Sequence, residues 1–166
     1  MSNCNICEEF KNGEGSSLMN INGLITPVDF KINGAASPYI KIINEIRIMI
    51  IGSNLDIGGP EMLKFDSFAG GLGGGLLFKC IQNGIEYNIL GKEIKVLKDF
   101  YNHCSPEKIV FKKKITDAVD FLLIIIPING TELCNNDYMY VRVRDNLSGL
   151  SELRVIGISY NINPRV

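Results

Sequence analysis

The sequence predicts an all-β protein: a β-sandwich of jelly-roll or immunoglobulin-like plan, with an extended N-terminal arm and at most one short helix. Two observations carry this prediction. Apolar and polar residues alternate with period two in several short segments, as they do in half-buried strands. Asn83-Gly84 lies between two such segments and is typical of a type I′ hairpin, whose two central residues both need positive φ. The length of 166 residues suits one domain, with the arm at residues 1–25 and the sandwich at residues 26–166.

The arm is the segment that precedes the first alternating strand. Its "KNGEGSSLMNING" stretch is rich in Gly, Ser and Asn and has no apolar period. Such a segment buries too little apolar surface to offset its own chain entropy. We therefore expect the arm to become ordered against a partner.

Strands are predicted from Pro27 onward. "VDFKI" alternates, and "YIKIINEIRIMIIG" alternates over a longer stretch. In the longer strand the polar residues Lys41, Glu45 and Arg47 share one side. The other side carries isoleucine at every position but Asn44: Ile40, Ile42, Ile46, Ile48 and Ile50. The hairpin strands are expected near residues 76–82 and 85–90.

The second half of the chain contains further strands and the one ambiguous segment. "EIKVLKDFYNHC" fits both a helical stripe and a strand, and we favour a short helix or helical turn. "KIVFKKKI" predicts a strand. "AVDFLLIIIPI" is apolar on both faces and predicts a central strand, in which Pro127 indicates an edge or a bulge. "YMYVRVRD" and "ELRVIGISYNI" complete seven or eight strands.

The glycine-rich stretch "FAGGLGGGLLF" at residues 68–78 raises the question of a phosphate-binding loop. A dinucleotide fingerprint that starts at Gly71 fails, because its last glycine would fall on Leu76. No Lys followed by Ser or Thr closes the stretch, and a hairpin rather than a helix follows it. We interpret it as a bend that carries apolar side chains to a partner. The predicted partner-contact residues come from the arm and this stretch: Ile21, Leu24, Phe68, Leu72 and Leu76.

Charge and cysteine content exclude several classes of function. The net charge is −1, and the only basic run is Lys112-Lys113-Lys114, so we do not expect direct nucleic-acid binding. No apolar stretch reaches the roughly 18 residues of a membrane span, and no secretory leader is visible. Five cysteines are an odd number and fit a reducing compartment.

Catalytic and metal-binding motifs are weak throughout the sequence. Cys4-x-x-Cys7 is half of a zinc knuckle, and the only other ligand candidates, His103 and Cys104, are adjacent and poorly placed for one tetrahedral site. The carboxylates are scattered along the chain, and Asp137 follows Asn135-Asn136 in a turn-forming pattern. We expect no catalytic residues, no cofactor and no metal, and hence a protein that is not an enzyme.

Residues 118–160, "AVDFLLIIIPINGTELCNNDYMYVRVRDNLSGLSELRVIGISY", form a strand, a turn, a second strand ending in Arg-Asp, an "NLSGL" turn and a last strand. This pattern is similar to small β-sandwich structural proteins from the virions of tailed bacteriophages, crAss-like phages among them. The resemblance covers about a quarter of the chain. It implies a virion-located head, tail or fibre subunit that acts by assembly with copies of itself and with other virion proteins.

A carbohydrate- or receptor-binding β-sandwich is the alternative function. Sugar platforms favour exposed aromatic side chains, and although Trp is absent, Tyr138 and Tyr140 lie on one face of one predicted strand. A glycan therefore remains a possible partner on sequence grounds.

Overall fold

The structure is a computed structural model that describes residues 6–9, 28–53, 75–95, 97–114, 119–143 and 150–163. These residues form nine strands and two short 3₁₀ turns, at Leu97–Asn102 and Pro106–Lys108, and they contain no α-helix. The all-β prediction is confirmed, and the ambiguous segment is a helical turn rather than a strand. The strands are β1 Ile6–Glu9, β2 Val28–Asn33, β3 Ile40–Ser53, β4 Leu76–Gln82, β5 Ile85–Asn88, β6 Ile109–Lys114, β7 Val119–Leu133, β8 Tyr138–Val143 and β9 Leu150–Ile162.

The strands form two antiparallel sheets with the order of a jelly roll. The five-stranded sheet has the order β1-β9-β3-β7-β6, and the four-stranded sheet has the order β2-β8-β4-β5. Strand pairs are nested along the chain, because β1 pairs with β9, β2 with β8, β3 with β7, and β4 with β5. This nesting is the pattern of one long hairpin wrapped into two sheets, and it selects the jelly roll over the immunoglobulin-like plan. β6 is an additional edge strand beside β7.

One hydrophobic core lies between the two sheets. The four-stranded sheet contributes Phe30, Phe78 and Val141, and the five-stranded sheet contributes residues such as Ile46 and Ile124, all at most 1% exposed. Each such side chain contributes about 1.5–3 kcal/mol when it is fully buried. The first 3₁₀ turn closes this core, since its Phe100 ring meets the ring of Phe78 edge to face at 6.3 Å between centroids.

A β-bulge at Asn44 changes which residues of β3 face the core. The register of β3 shifts between Ile43 and Glu45 against both of its neighbours, β7 and β9. The prediction for the second half of the strand is confirmed, because Ile46, Ile48 and Ile50 belong to the core. The prediction for the first half was wrong: Ile43 takes the core position before the bulge. Ile40 and Ile42 therefore alternate onto the face opposite to that of Ile46, and Lys41 onto the face opposite to that of Glu45. A bulge inserts one residue and so inverts the alternation, which period-two counting cannot detect.

The Asn83-Gly84 hairpin signal and the Pro127 signal both mark irregular positions in the sheets. Asn83 and Gly84 have φ values of 53° and 77° and connect β4 to β5, as a type I′ hairpin requires. Pro127 lies next to the register shift between β3 and β7. β6 pairs with residues 119–124 of β7, so Pro127 lies beyond the stretch of β7 that forms strand pairs on that side. The strand does not end there, however, but continues to Leu133.

Part of the predicted arm belongs to the protein's own sheet. β1 pairs with β9 from the Ile6–Ser159 pair to the Glu9–Ile156 pair, and it forms one edge of the five-stranded sheet. The expectation that the arm needs a partner to become ordered is therefore corrected for these four residues. The rest of residues 1–25 lies outside the described part of the chain.

Gly75 shows what the last glycine of the glycine-rich stretch does. Its φ is +55°, and a Cβ at this position would overlap the carbonyl oxygen of Ile94. That carbonyl accepts a hydrogen bond from the N–H of Leu76 at 2.8 Å, and the N–H of Ile94 donates to the oxygen of Leu76 at 2.9 Å. Glycine is required here for both conformation and space. The other glycines of the stretch lie outside the described residues.

We predict that Gly75→Ala destabilises the protein more than Gly84→Ala. Both residues have positive φ, which costs an alanine about 1–2 kcal/mol, but a Cβ at Gly84 meets nothing within 4 Å. Gly84→Ala should therefore cost about that amount, and Gly75→Ala should cost more because the backbone of residues 94–95 must move. Urea denaturation of the two variants measures the difference. Equal free energies of unfolding would show that the close approach of Gly75 to Ile94 does not constrain the fold.

Candidate interaction surfaces

The structure describes one of the five predicted partner-contact residues. Leu76 lies in β4 and is 1% exposed, because it packs in the core beside Ile94. Its side chain is thus enclosed by its own sandwich, which corrects the expectation that Leu76 contacts a partner. Ile21, Leu24, Phe68 and Leu72 lie outside the described residues.

The outer face of the five-stranded sheet is apolar over its central strands. β7 places Phe121, Leu123 and Ile125 there, because the alternate residues Leu122 and Ile124 are in the core. Strand pairing aligns Met49 with Leu123 and Ile125 with Arg47, so these side chains form continuous rows. Eight half-buried apolar residues make up this outer apolar face: Met49, Ile51, Val110, Phe121, Leu123, Ile125, Ile156 and Ile158.

One ion pair lies within the outer apolar face. Glu45 and Arg47 are two residues apart on β3, and the Arg47 Nε donates to the Glu45 Oε2 at 2.6 Å. Strand pairing places Arg47 between Ile156 of β9 and Ile125 of β7. The Arg47 side chain is 42% exposed and the Glu45 side chain is 24% exposed. Arg154 of β9 lies opposite Met49 in register and is a further charged residue on this face. The centre of the face is therefore apolar area around the Glu45–Arg47 pair, with Arg154 beside Met49.

The outer face of the four-stranded sheet has the opposite character, because it carries a ladder of charged and aromatic side chains. The rings of Tyr138 and Tyr140 stack at 6.0 Å between centroids, with Lys31 Nζ 3.9 Å from the centre of the Tyr138 ring. At the other end the Arg142 guanidinium lies 5.2 Å from the Tyr140 ring. Arg142 also donates to both carboxylate oxygens of Asp29, at 2.7 and 2.9 Å. The predicted placement of the two tyrosines on one face is confirmed.

The inner members of this ladder are fixed by hydrogen bonds. Tyr140 is 6% exposed, and its hydroxyl donates to Glu86 Oε1 on β5. Burial, together with that hydrogen bond, raises the pKa of the Tyr140 phenol above its ordinary value. The hydrogen bonds to Asp29 likewise raise the pKa of the Arg142 guanidinium. Tyr140 and Arg142 are therefore fixed parts of the face, whereas Tyr138 lies at its open end.

The turn from Cys134 to Asp137 is held in place by one carboxylate. Asp137 Oδ2 accepts from the N–H of Cys134 at 2.9 Å, and Oδ1 accepts from the N–H of Asn83 in the β4–β5 hairpin at 3.0 Å. The Asp137 carbonyl accepts from the N–H of Gly34 at 2.8 Å. A Cβ at Gly34 would overlap the Cys134 carbonyl oxygen, so glycine permits this close approach. The turn role of Asp137 that the sequence predicts is confirmed.

A pocket of about 330 Å³ lies between this turn and the end of β2. Its lining residues are Lys31, Asn33, Gly34, Asn135, Asn136, Asp137 and Tyr138. The sequence indicated a turn at residues 135–137 and an aromatic pair, but not their proximity to β2. Only the β2–β8 register, which aligns Asn33 with Tyr138, brings these segments together.

Among the described cysteine and histidine candidates, no convergence into a metal site is found. Cys4 lies outside the described residues, and Cys7 is in β1 opposite Ile158. Cys104 is buried, its Sγ lies 3.2 Å from the Phe100 carbonyl oxygen, and burial raises the pKa of its thiol. Burial and Lys92 lower the pKa of the His103 imidazole. Within the described residues no group of three or more His, Cys, Asp or Glu side chains is placed to hold a metal ion.

Comparisons with known proteins add no assignment to these surfaces. No family model, curated protein or solved structure matches the chain. In the part of the chain that the structure describes, no helix is both long and apolar enough to cross a membrane. The surfaces themselves are therefore the basis for the function proposed below.

We predict that Asp137→Asn destabilises the protein by about 1–3 kcal/mol. A carboxamide has one oxygen acceptor where the carboxylate has two, so one backbone N–H, of Cys134 or of Asn83, loses its partner. Asn135→Ala is the control, because Asn135 is exposed on the same turn and should change stability by less than about 0.5 kcal/mol. Urea denaturation measures both. The proposed clamp would be contradicted if the two variants unfolded at the same urea concentration.

Proposed function

We propose that this protein is a structural subunit of a phage particle, and that it assembles with copies of itself through the outer apolar face. The observation that carries the proposal is the row structure of that face, in which eight half-buried apolar side chains lie around the Glu45–Arg47 ion pair, with Arg154 of β9 beside Met49. Contiguous apolar surface of this kind is typical of protein–protein interfaces, since covering it releases water from apolar area.

The charge pattern supports a second copy of the same chain as the occupant of the face. In an isologous contact the same patch occurs on both subunits. Because Glu45 and Arg47 lie side by side on β3, two opposed copies can place Glu45 of each near Arg47 of the other. Glu45 and Arg47 then each keep a partner of opposite sign when the face is covered, whereas a charge buried without one would cost several kcal/mol.

The fold and the sequence resemblance support the assignment to a phage particle. Jelly rolls build viral capsid domains, and they also build lectin domains. Because the same fold serves several functions, the function has to be argued from the chemistry of the surface rather than from the fold. The outer apolar face favours assembly, and the similarity of residues 118–160 to phage virion proteins favours a head, tail or fibre component. Mass spectrometry of purified particles that encode this chain should find it in many copies per particle.

We predict that Leu123→Glu abolishes self-association. The full-length protein should sediment as a defined oligomer, and the added carboxylate should weaken association by about 100-fold or more, because it would be buried without a partner. Ile85→Glu is the matched control, since Ile85 is 69% exposed on the other sheet and should leave the oligomer intact. Sedimentation velocity measures the masses, and thermal unfolding checks that both variants fold.

A charge exchange tests the self-complementary arrangement separately. Arg47→Glu places two like charges beside each other and should weaken association, whereas the double variant Glu45→Arg with Arg47→Glu restores the pair and should recover it. A wild-type protein that sediments as a monomer at all concentrations would overturn the assembly proposal. A double variant that associates no better than Arg47→Glu would overturn the isologous contact.

A further inference from the structure

The pocket between the end of β2 and the Cys134–Asp137 turn has the features of a built binding site. Its frame is fixed, because the Asp137 carboxylate joins that turn to the β4–β5 hairpin and Gly34 packs directly against the turn. A frame held by backbone hydrogen bonds loses little freedom when a ligand binds, which is the condition for useful affinity in a small site.

Four of the polar side chains that line this pocket, Lys31, Asn33, Asn135 and Asn136, are exposed and accessible to a ligand. The side chains of Asn33, Asn135 and Asn136 are exposed, and no hydrogen bond joins their carboxamides to another described residue. Lys31 is also exposed, and among the described residues its ammonium contacts only the ring of Tyr138. Three carboxamides and one ammonium thus face one volume. The Asp137 carboxylate also lines it, but both of its oxygens already accept from the N–H groups of Cys134 and Asn83.

These groups define the class of ligand. A carboxamide both donates and accepts hydrogen bonds, which matches the hydroxyl groups of a sugar. An ammonium donates only and favours an anionic acceptor such as a carboxylate. Tyr138 adds an aromatic surface at the pocket wall, and its stacking on Tyr140 fixes the position of its ring. One cation among three amides does not suit a polyanion such as nucleic acid, which needs a basic stripe.

We propose that this pocket binds a saccharide unit that carries a carboxylate group. The carboxylate pairs with Lys31, and the carboxamides of Asn33, Asn135 and Asn136 bind the sugar hydroxyls. The site lies at the four-stranded sheet and does not include the outer apolar face. It therefore goes beyond assembly, since one surface can join copies of the chain while the other recognises an acidic glycan.

A glycan array and a titration test the proposal with the full chain. The array should give signals from glycans that contain glucuronic acid or N-acetylneuraminic acid. In titrations followed by NMR, the methyl glycosides of these two acids should bind more tightly than methyl glucoside. Sodium acetate is the probe for a simple anion site and should bind more weakly than either acid sugar.

Variants separate the two halves of the recognition. Lys31→Gln should weaken binding of the acid sugars by about tenfold or more and remove their advantage over methyl glucoside. Asn135→Ala with Asn136→Gly should weaken acidic and neutral sugars alike, and glycine suits the φ of 72° at Asn136. Lys79→Gln is the control, because it removes the same charge from the same sheet face outside the pocket and should change nothing.

The outcomes that overturn the proposal are distinct. An array without acidic-glycan signals rejects the site. If acetate binds as tightly as the acid sugars, the ligand is a simple anion and the saccharide proposal is rejected. If Lys31→Gln leaves the affinity for the acid sugars unchanged, the pocket is rejected as the binding site. Thermal unfolding of each variant shows that it is folded. Repeating the titration on the Leu123→Glu variant keeps this result independent of whether the chain assembles.

Discussion

The register of β3 in the middle of the five-stranded sheet is the constraint on which both surfaces of that sheet depend. β3 pairs with β7 on one side and with β9 on the other over most of its length. Its register therefore determines which residues of three strands face the core. A slip by one residue would expose Ile46 and Ile48 and bury Glu45 and Arg47, at a cost no local change could offset. The bulge at Asn44 allows both halves of this long strand to keep an isoleucine inside.

The nested pairing of the jelly roll explains how distant segments come to share one site. β2 lies against β8, so residues 31–34 meet residues 134–138 although about a hundred residues separate them along the chain. The Asp29–Arg142 ion pair spans 113 positions for the same reason. Contacts of this kind form only when the whole fold has formed. The pocket and the tyrosine ladder are thus products of the topology and not of any local motif.

Local signals in the sequence were sufficient for the strands but not for their arrangement. Period two located most strands, and the Asn83-Gly84 pair located a hairpin, because both effects act between near neighbours. The side of Ile42 was predicted wrongly because a bulge depends on the partner strands. Leu76 was assigned to a surface because it follows five glycines, yet the pairing of β4 with β8 places it in the core. The pocket residues carried signals only for a turn and for an aromatic pair, since their convergence depends on the β2–β8 register.

The two sheets have outer faces of opposite character, and this difference separates the possible roles of the subunit. Covering the apolar rows on the five-stranded sheet removes apolar area from water and so stabilises an assembly. The inner polar groups of the ladder on the four-stranded sheet, by contrast, already have hydrogen-bond partners within the chain. The Tyr140 hydroxyl donates a hydrogen bond to Glu86, and the Arg142 guanidinium donates two hydrogen bonds to Asp29. The groups left for a ligand are therefore at the end of the ladder, at Lys31 and Tyr138. Because that end carries exposed amides and an ammonium, a hydrated polar ligand fits it better than the sheet of another protein subunit does.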